Sequence, residues 1–186
     1  REELPELANR LDTALHAAAR FLAQSEGAGL DGWAPLWFGN QHAPEEINWT
    51  YGTAKVLLAL NEPAQIALPG GGLRVTRAKN ALLEMQRDDG AWSGFKGGEA
   101  SIEETALALE ALSGVTEADD DTQAKLVKAR DRAADWLVSQ VESEAWTEPS
   151  PIGFYFAKLW YYEKLYPMIA TVAALSSYRR LAGKPE

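Results

Sequence analysis

Cysteine is absent from the sequence, and histidine occurs only twice among 186 residues. Without cysteine the chain has no disulfide bonds, no thiolate zinc site and no cysteine nucleophile. His16 and His42 are isolated from each other and from any cluster of residues at metal-ligand spacing. The sequence therefore predicts no metal site, and nothing in it indicates a cofactor.

Basic residues are also scarce. The chain has 18 lysines and arginines against 27 aspartates and glutamates, which gives a net charge of -9 at pH 7. The basic residues are scattered, whereas a nucleic-acid interface needs a clustered positive surface. The sequence therefore predicts no nucleic-acid partner.

Long apolar segments are missing as well. Lys158, Glu163 and Lys164 interrupt the most hydrophobic region, and no run approaches the roughly 20 residues that a membrane-spanning helix needs. The chain opens with R-E-E-L-P-E-L, which is unlike a secretory signal peptide, and the absence of an initial methionine suggests a fragment of a longer protein. We expect a cytoplasmic location.

Helical periodicity dominates the residues that are present. With 46% hydrophobic residues the chain can form one ordinary core, and we expect residues 1–186 to be a single domain. Amphipathic runs alternate with largely apolar ones: residues 4–24, 75–85 and 122–140 are amphipathic, and residues 51–60, 102–112 and 168–175 are apolar. This alternation predicts an all-α fold of three helical hairpins, each with an outer helix and a buried inner helix.

Two sequence markers recur with these hairpins. Each outer run is followed by glutamine and then tryptophan: Gln24 and Trp33, Gln86 and Trp92, Gln140 and Trp146. Each inner run has threonine followed four positions later by leucine: Thr53 and Leu57, Thr105 and Leu109, Thr171 and Leu175. The middle copy is intact, with Gly90 at the turn; the third has Glu144 where the turn glycine should be, and the first has a longer gap between its glutamine and tryptophan. The markers indicate one intact corner and two degraded ones.

The middle copy resembles the QW repeat of squalene-hopene and oxidosqualene cyclases at Arg77, Ala78, Leu82, Gln86, Gly90 and Trp92. Three further segments are similar to the C-terminal part of bacterial squalene-hopene cyclases: P-L-W-F-G-N-Q at 35–41, Y-G-T-A at 51–54 and S-P-I-G-F-Y-F-A-K-L-W-Y-Y-E-K-L-Y-P at 150–167. Together these stretches extend the resemblance over almost the whole chain.

The resemblance implies helical-hairpin repeats that form part of an alpha-alpha toroid. Three hairpins supply six helices, whereas the closed barrel of this family uses twelve, so we expect half of an (α/α)6 barrel. Half a barrel leaves apolar inner helices uncovered. We therefore expect a partner for them, either the missing N-terminal half or a second copy in a homodimer.

The resemblance also implies a cavity whose aromatic rings stabilise carbocations while a linear isoprenoid such as squalene is cyclised. The residues at matching positions, expected to bind substrate, are Trp37, Phe38, Tyr51, Tyr155, Phe156 and Tyr162. Core filling is the alternative role for each ring. The C-terminal aromatic segment could instead rest on the inner membrane face, as a peripheral contact.

Cyclases of this type protonate an alkene with the middle aspartate of an Asp-x-Asp-Asp-Thr motif, and this sequence has two partial matches. A-D-D-D-T at 118–122 lies in a polar linker and is expected to be a solvated charge cluster at a helix start. S-I-E-E-T-A at 101–106 begins an inner helix, the place equivalent to the acid motif, so Glu103 and Glu104 are the candidate catalytic residues.

Glu104 has a structural alternative, because Ser101 and Glu104 form a capping-box signature. Buried glutamic acid is also too weak an acid to suit alkene protonation. We therefore expect this chain to be the C-terminal portion of a cyclase, inactive alone, with the acid motif upstream. A stand-alone isoprenoid-binding protein and a purely structural helical-repeat module are the alternatives.

Overall fold

The computed structural model describes residues 5–27, 32–35, 38–61, 70–154 and 159–183. Within these ranges the chain forms six α-helices: α1 (Pro5–Gln24), α2 (Trp49–Leu60), α3 (Gly71–Met85), α4 (Ile102–Ser113), α5 (Asp120–Glu142) and α6 (Leu165–Ala182). The expected all-α class is confirmed, and each predicted helical run corresponds to one helix.

The packing of the helices centres on α4. The predicted inner helix α4 packs against both α2 and α6, while the predicted outer helices α3 and α5 pack on α2 and α4, respectively. Each of these outer helices therefore lies closest to the inner helix that precedes it in sequence. Helix α4 is the most enclosed, with residues 103–109, 111 and 112 buried, as its apolar sequence predicts.

The middle Gln/Trp corner is fully formed. The Trp92 ring is completely buried, and its indole Nε1 donates to the carbonyl oxygen of Leu82 at 2.7 Å. The Gln86 side chain donates to the carbonyl oxygens of Gly90, at 2.9 Å, and Ala129, at 2.8 Å. Because Ala129 belongs to α5, this one amide connects the corner to the next outer helix.

The other two corners differ in how much of this arrangement they keep. In the first, Trp33 is buried and its indole Nε1 donates to the carbonyl oxygen of Leu22 at 2.8 Å. In the third, Trp146 is only half-buried, and Gln140 donates to its neighbour Ser139. The third corner is degraded, as expected, whereas the first retains its tryptophan contact.

The aromatic segment after α5 contains a feature that the sequence prediction missed. Strands β1 (Ser150–Phe154) and β2 (Leu159–Glu163) pair antiparallel, with Ser150 opposite Glu163. Aromatic and β-branched residues favour extended backbone. Helical periodicity cannot reveal such a short pair of strands.

The apolar faces of the two terminal helices are partly uncovered. In α6 only Pro167, Thr171 and Ala174 are buried, and an exposed stripe consists of Leu165, Ile169 and Val172. At the other end, α1 exposes Leu7, Leu11 and Phe21. Across the described ranges, no helix is both long and apolar enough to span a membrane.

Candidate functional site

A cavity of about 660 Å³ lies where the first turn of α4, the loop before α2 and the start of α6 meet. Its walls include aromatic rings, two buried carboxyl groups and several small polar side chains. Both sequence-predicted carboxylates line it, as do two of the predicted aromatic residues: Glu103, Glu104, Phe38 and Tyr51.

Glu104 is buried and fully hydrogen-bonded. The amide of Asn48 donates to its Oε1 at 2.6 Å and the amide of Asn40 at 3.4 Å, while the Ser101 hydroxyl donates to its Oε2. Such an arrangement satisfies a buried carboxylate and fixes its position. Glu104 therefore fastens α4 to the loop that precedes α2.

The predicted capping box is wrong in its hydrogen bonds. Ser101 is the N-cap of α4, as expected, but its side chain caps no backbone amide. The hydroxyl turns instead to the Glu104 carboxylate. The Ser101 backbone N–H, with which Glu104 would pair in a capping box, donates instead to the carbonyl oxygen of Trp92 at 2.8 Å.

Asn48 holds the starts of two inner helices together. Its carbonyl oxygen accepts the backbone N–H of Tyr51 at 2.9 Å, which caps α2, and its amide nitrogen donates to Glu104 in α4. The side chain is only 5% exposed. A single asparagine thus links the starts of α2 and α4 at the cavity.

Glu103 differs sharply from its neighbour. It is 6% exposed, yet its Oε1 has no hydrogen-bond partner among the described residues. Burial and, next, the Glu104 carboxylate raise the pKa of Glu103 to about 8, against a smaller opposing effect of the Ser150 hydroxyl. At pH 7 Glu103 is therefore mainly a neutral carboxylic acid.

Two tyrosines and a phenylalanine cover the same part of the cavity. The rings of Phe38 and Tyr51 are tilted by 44° with centroids 5.2 Å apart, and Lys55 Nζ lies 5.7 Å from the Tyr51 ring centroid. The side chains of Tyr51 and Tyr166 lie close enough for each to affect the pKa of the other. Burial, followed by Tyr51 and the two glutamates, raises the pKa of Tyr166 above its usual range.

The remaining predicted site residues lie elsewhere. Tyr162 is 63% exposed, its hydroxyl accepts a hydrogen bond from Gln41, and it is not among the residues that line the cavity. Trp37, Tyr155 and Phe156 lie outside the described residues. The structure thus brings together four of the predicted site residues and separates Tyr162 from them.

Asn48 and Tyr166 are cavity residues that sequence reasoning missed. Asn48 precedes an apolar run, which is the usual place of an N-cap residue, so its capping role had a readable signal. Its bond to Glu104, 56 positions away, had none. Tyr166 lies in the aromatic segment at 150–167, as Tyr162 does. It differs from Tyr162 in lying on α6, which the sequence did not reveal.

The second acidic motif, at 118–122, has a structural role at the start of α5. Asp119 is the N-cap of α5 and accepts the backbone N–H of Thr122 at 2.8 Å. Hydrogen bonds from Thr122 lower the pKa of this exposed carboxyl. The prediction of a solvated helix-start cluster is confirmed.

Within the described ranges, no group of three or more histidines, aspartates or glutamates could hold a metal ion.

Comparison with known proteins relates the chain to a cyclase. It is 30% identical to a squalene-hopene cyclase of Zymomonas mobilis over 162 residues, 78% of this chain and 22% of that relative. Two uncharacterized proteins, y4kT of Sinorhizobium fredii and blr2149 of Bradyrhizobium diazoefficiens, are 34% and 33% identical over 95 residues, 50% of this chain and 17% of each relative. No protein-family model matches. The chain therefore spans only about one fifth of the length of these relatives.

Proposed function

We propose that this chain is a cavity-forming portion of a squalene-hopene-type terpene cyclase. Its inner helices α2, α4 and α6 would form part of the inner wall of an alpha-alpha toroid, with residues 1–186 as one unit. The observation that carries the proposal is the Phe38 and Tyr51 ring pair on the wall of the 660 Å³ cavity. Similarity to the Zymomonas cyclase over 78% of the chain supports it.

The chemistry suits this assignment because cyclisation of a polyene passes through carbocations. An aromatic ring face stabilises a cation without offering it a base. Trp136 and Tyr166 add further aromatic surface to the same cavity. A linear isoprenoid would lie against these rings.

The initiating proton comes from outside this chain in our proposal. Glu104 accepts three hydrogen bonds and is held away from solvent. Glu103 keeps its proton up to about pH 8, so it is a far weaker acid than alkene protonation demands. The missing N-terminal half of the barrel, or a second copy, would complete the cavity along α6, where Leu165, Ile169 and Val172 are uncovered.

Binding and turnover of squalene test the proposal directly. Purified chain is titrated with squalene while tryptophan fluorescence is followed, and the mixture is then analysed for cyclic products by mass spectrometry. We expect saturable binding and no cyclic product. Phe38→Leu should weaken binding about fivefold, roughly 1 kcal/mol, while Phe21→Leu on the exposed face of α1 should not. Failure of squalene to bind would contradict the proposal.

The alternative, a stand-alone isoprenoid-binding protein, makes a different prediction about size. An antibody against this chain, applied to extract of the source cells, should detect a band far above 20.3 kDa if the chain belongs to a longer cyclase. A band near 20.3 kDa would favour binding without catalysis.

A further inference from the structure

One atom in the cavity has no structural explanation. Glu103 Oε1 is buried and has no hydrogen-bond partner among the residues that the structure describes. Buried polar atoms are nearly always paired, so an unpaired one at a cavity wall indicates a missing partner. Glu103, the residue that carries it, is only 6% exposed.

The position of Glu103 in the first turn of α4 does not explain why its Oε1 is unpaired. Glu103 and Glu104 both lie in the first turn of α4, but only Glu104 is tied to neighbouring side chains from the loop before α2. Ser150 interacts with Glu103, and that contact still leaves Oε1 unpaired. Glu103 lines the cavity, so its side chain lies next to anything that enters there.

The charges around the cavity restrict what can enter. Besides Glu103 and Glu104, its described lining contains Glu99 and Glu148, and it contains no lysine or arginine. Phosphate and diphosphate groups bind where cationic side chains or backbone amides converge. An anionic end group would instead meet four carboxyl groups, so the ligand's polar end is not anionic.

We propose that Glu103 holds the hydroxyl end of a linear isoprenoid alcohol in this cavity. This inference rests on the proposed function, which supplies the isoprenoid body of the ligand. A hydroxyl both donates and accepts a hydrogen bond, so it can pair with a carboxyl group in either protonation state. A hydrocarbon of the same length would leave Oε1 unpaired.

The test compares three C15 probes of matched carbon skeleton: farnesol, β-farnesene and farnesyl diphosphate. Tryptophan fluorescence reports binding, because Trp136 lines the cavity. We expect farnesol to bind about five- to tenfold more tightly than β-farnesene, the ratio typical of one satisfied buried hydrogen bond. Farnesyl diphosphate should bind more weakly than farnesol.

Variants of α4 assign the preference to one side chain. Glu103→Leu should remove the preference for farnesol while β-farnesene binding stays the same or improves. Glu103→Gln, which can still donate and accept, should retain most of it. Glu110→Leu is the matched control, since Glu110 is on the same helix but outside the cavity lining.

The outcomes separate this inference from the function on which it rests. Equal binding of farnesol and β-farnesene by the unmodified chain would overturn the role of Glu103 and leave the isoprenoid cavity intact. Tightest binding of farnesyl diphosphate would overturn it as well. Binding of none of the three probes would contradict the proposed function itself. Because these rankings use the unmodified chain, they hold even if Glu103→Leu fails to fold.

Discussion

The backbone amide of Trp92 donates a hydrogen bond to the hydroxyl of Thr105 at 2.8 Å, which joins the middle corner to the inner helix α4. The first corner has the same link, from the amide of Trp33 to the hydroxyl of Thr53 at 3.1 Å. The third does not: the hydroxyl of Thr171 is buried without a partner in the described residues. The recurring threonine therefore supports a corner in two repeats and none in the third.

Replacing these threonines by valine should give unequal results. Thr105→Val leaves the buried amide of Trp92 unpaired and should lower the free energy of unfolding by about 1–3 kcal/mol. Thr53→Val should have a similar effect through Trp33. Thr171→Val removes a hydroxyl that already lacks a partner, so it should be neutral or stabilising. Urea denaturation measures all three; equal losses at all three positions would contradict the assignment.

Gly90 should resist substitution more strongly than Gly97. Both have positive φ, 92° and 86°, which disfavours any side chain by about 1 kcal/mol. At Gly90 a Cβ atom would also lie 2.9 Å from the backbone oxygen of Arg132, whereas at Gly97 nothing lies within 4 Å. We expect Gly90→Ala to lower the unfolding free energy by about 3 kcal/mol and Gly97→Ala by about 1 kcal/mol, in the same urea measurement. A larger loss at Gly97 would be the contrary result.

Glu144 occupies the position of that turn glycine in the third corner. It adopts the left-handed conformation, with φ at 62°, which costs a side-chain-bearing residue about 1–2 kcal/mol. Glu144→Gly should therefore stabilise the chain by about 0.5–1 kcal/mol after the entropy lost by glycine on folding. Glu142→Gly, in the last turn of α5, is the control and should destabilise instead.

Arg130 should be essential for the end of α4. It is 1% exposed, and its guanidinium donates to the carbonyl oxygens of Leu112 and Val115. Burial lowers the pKa of Arg130 to about 10, so it stays charged at pH 7. Arg130→Met would leave both carbonyl oxygens without their hydrogen-bond donor. It should lower the unfolding free energy by about 3 kcal/mol. Exposed Lys128→Met should change it by less than about 0.5 kcal/mol.

The stability of the chain should fall as the pH rises through neutrality. Glu103 has a pKa of about 8 when folded and an ordinary value of 4.5. The folded chain binds the extra proton between these values, so this stabilisation is complete below about pH 4.5 and is lost as the pH approaches 8.

Glu103→Gln mimics the neutral acid and should remove this decline. We expect the thermal midpoint of the unmodified chain, relative to that of Glu103→Gln, to fall steadily between pH 5 and pH 8. Glu110→Gln, on the same helix outside the cavity, should follow the unmodified chain. Parallel curves for all three proteins would show that Glu103 ionises normally.

Sequence periodicity predicted the six α-helices of the described residues because burial of one face leaves a repeating pattern of apolar residues. The Gln86 and Trp92 corner was also predictable, since its residues lie close together in the chain. Contacts between distant residues left no such pattern: the bond from Asn48 to Glu104 and that from Arg130 to Leu112 cross between elements. The β1 and β2 pair was not predicted for another reason: an aromatic segment of this length fits either a helix or two short strands.

The candidate site was predicted only in part. One cavity is lined by Phe38, Tyr51, Glu103 and Glu104. The sequence could not reveal that the two adjacent glutamates would differ in their hydrogen bonding. That difference arises from side chains on the preceding loop, which pair with Glu104 alone.

The uncovered stripe of Leu165, Ile169 and Val172 has a consequence for the colloidal behaviour of the chain. At pH 7 the net charge of -9 keeps copies apart, but the isoelectric point is about 4.8. Near that pH the repulsion vanishes while the stripe stays apolar, so self-association should be strongest there. Acidification thus acts in two opposite ways, since it keeps Glu103 neutral within each molecule and draws the molecules together.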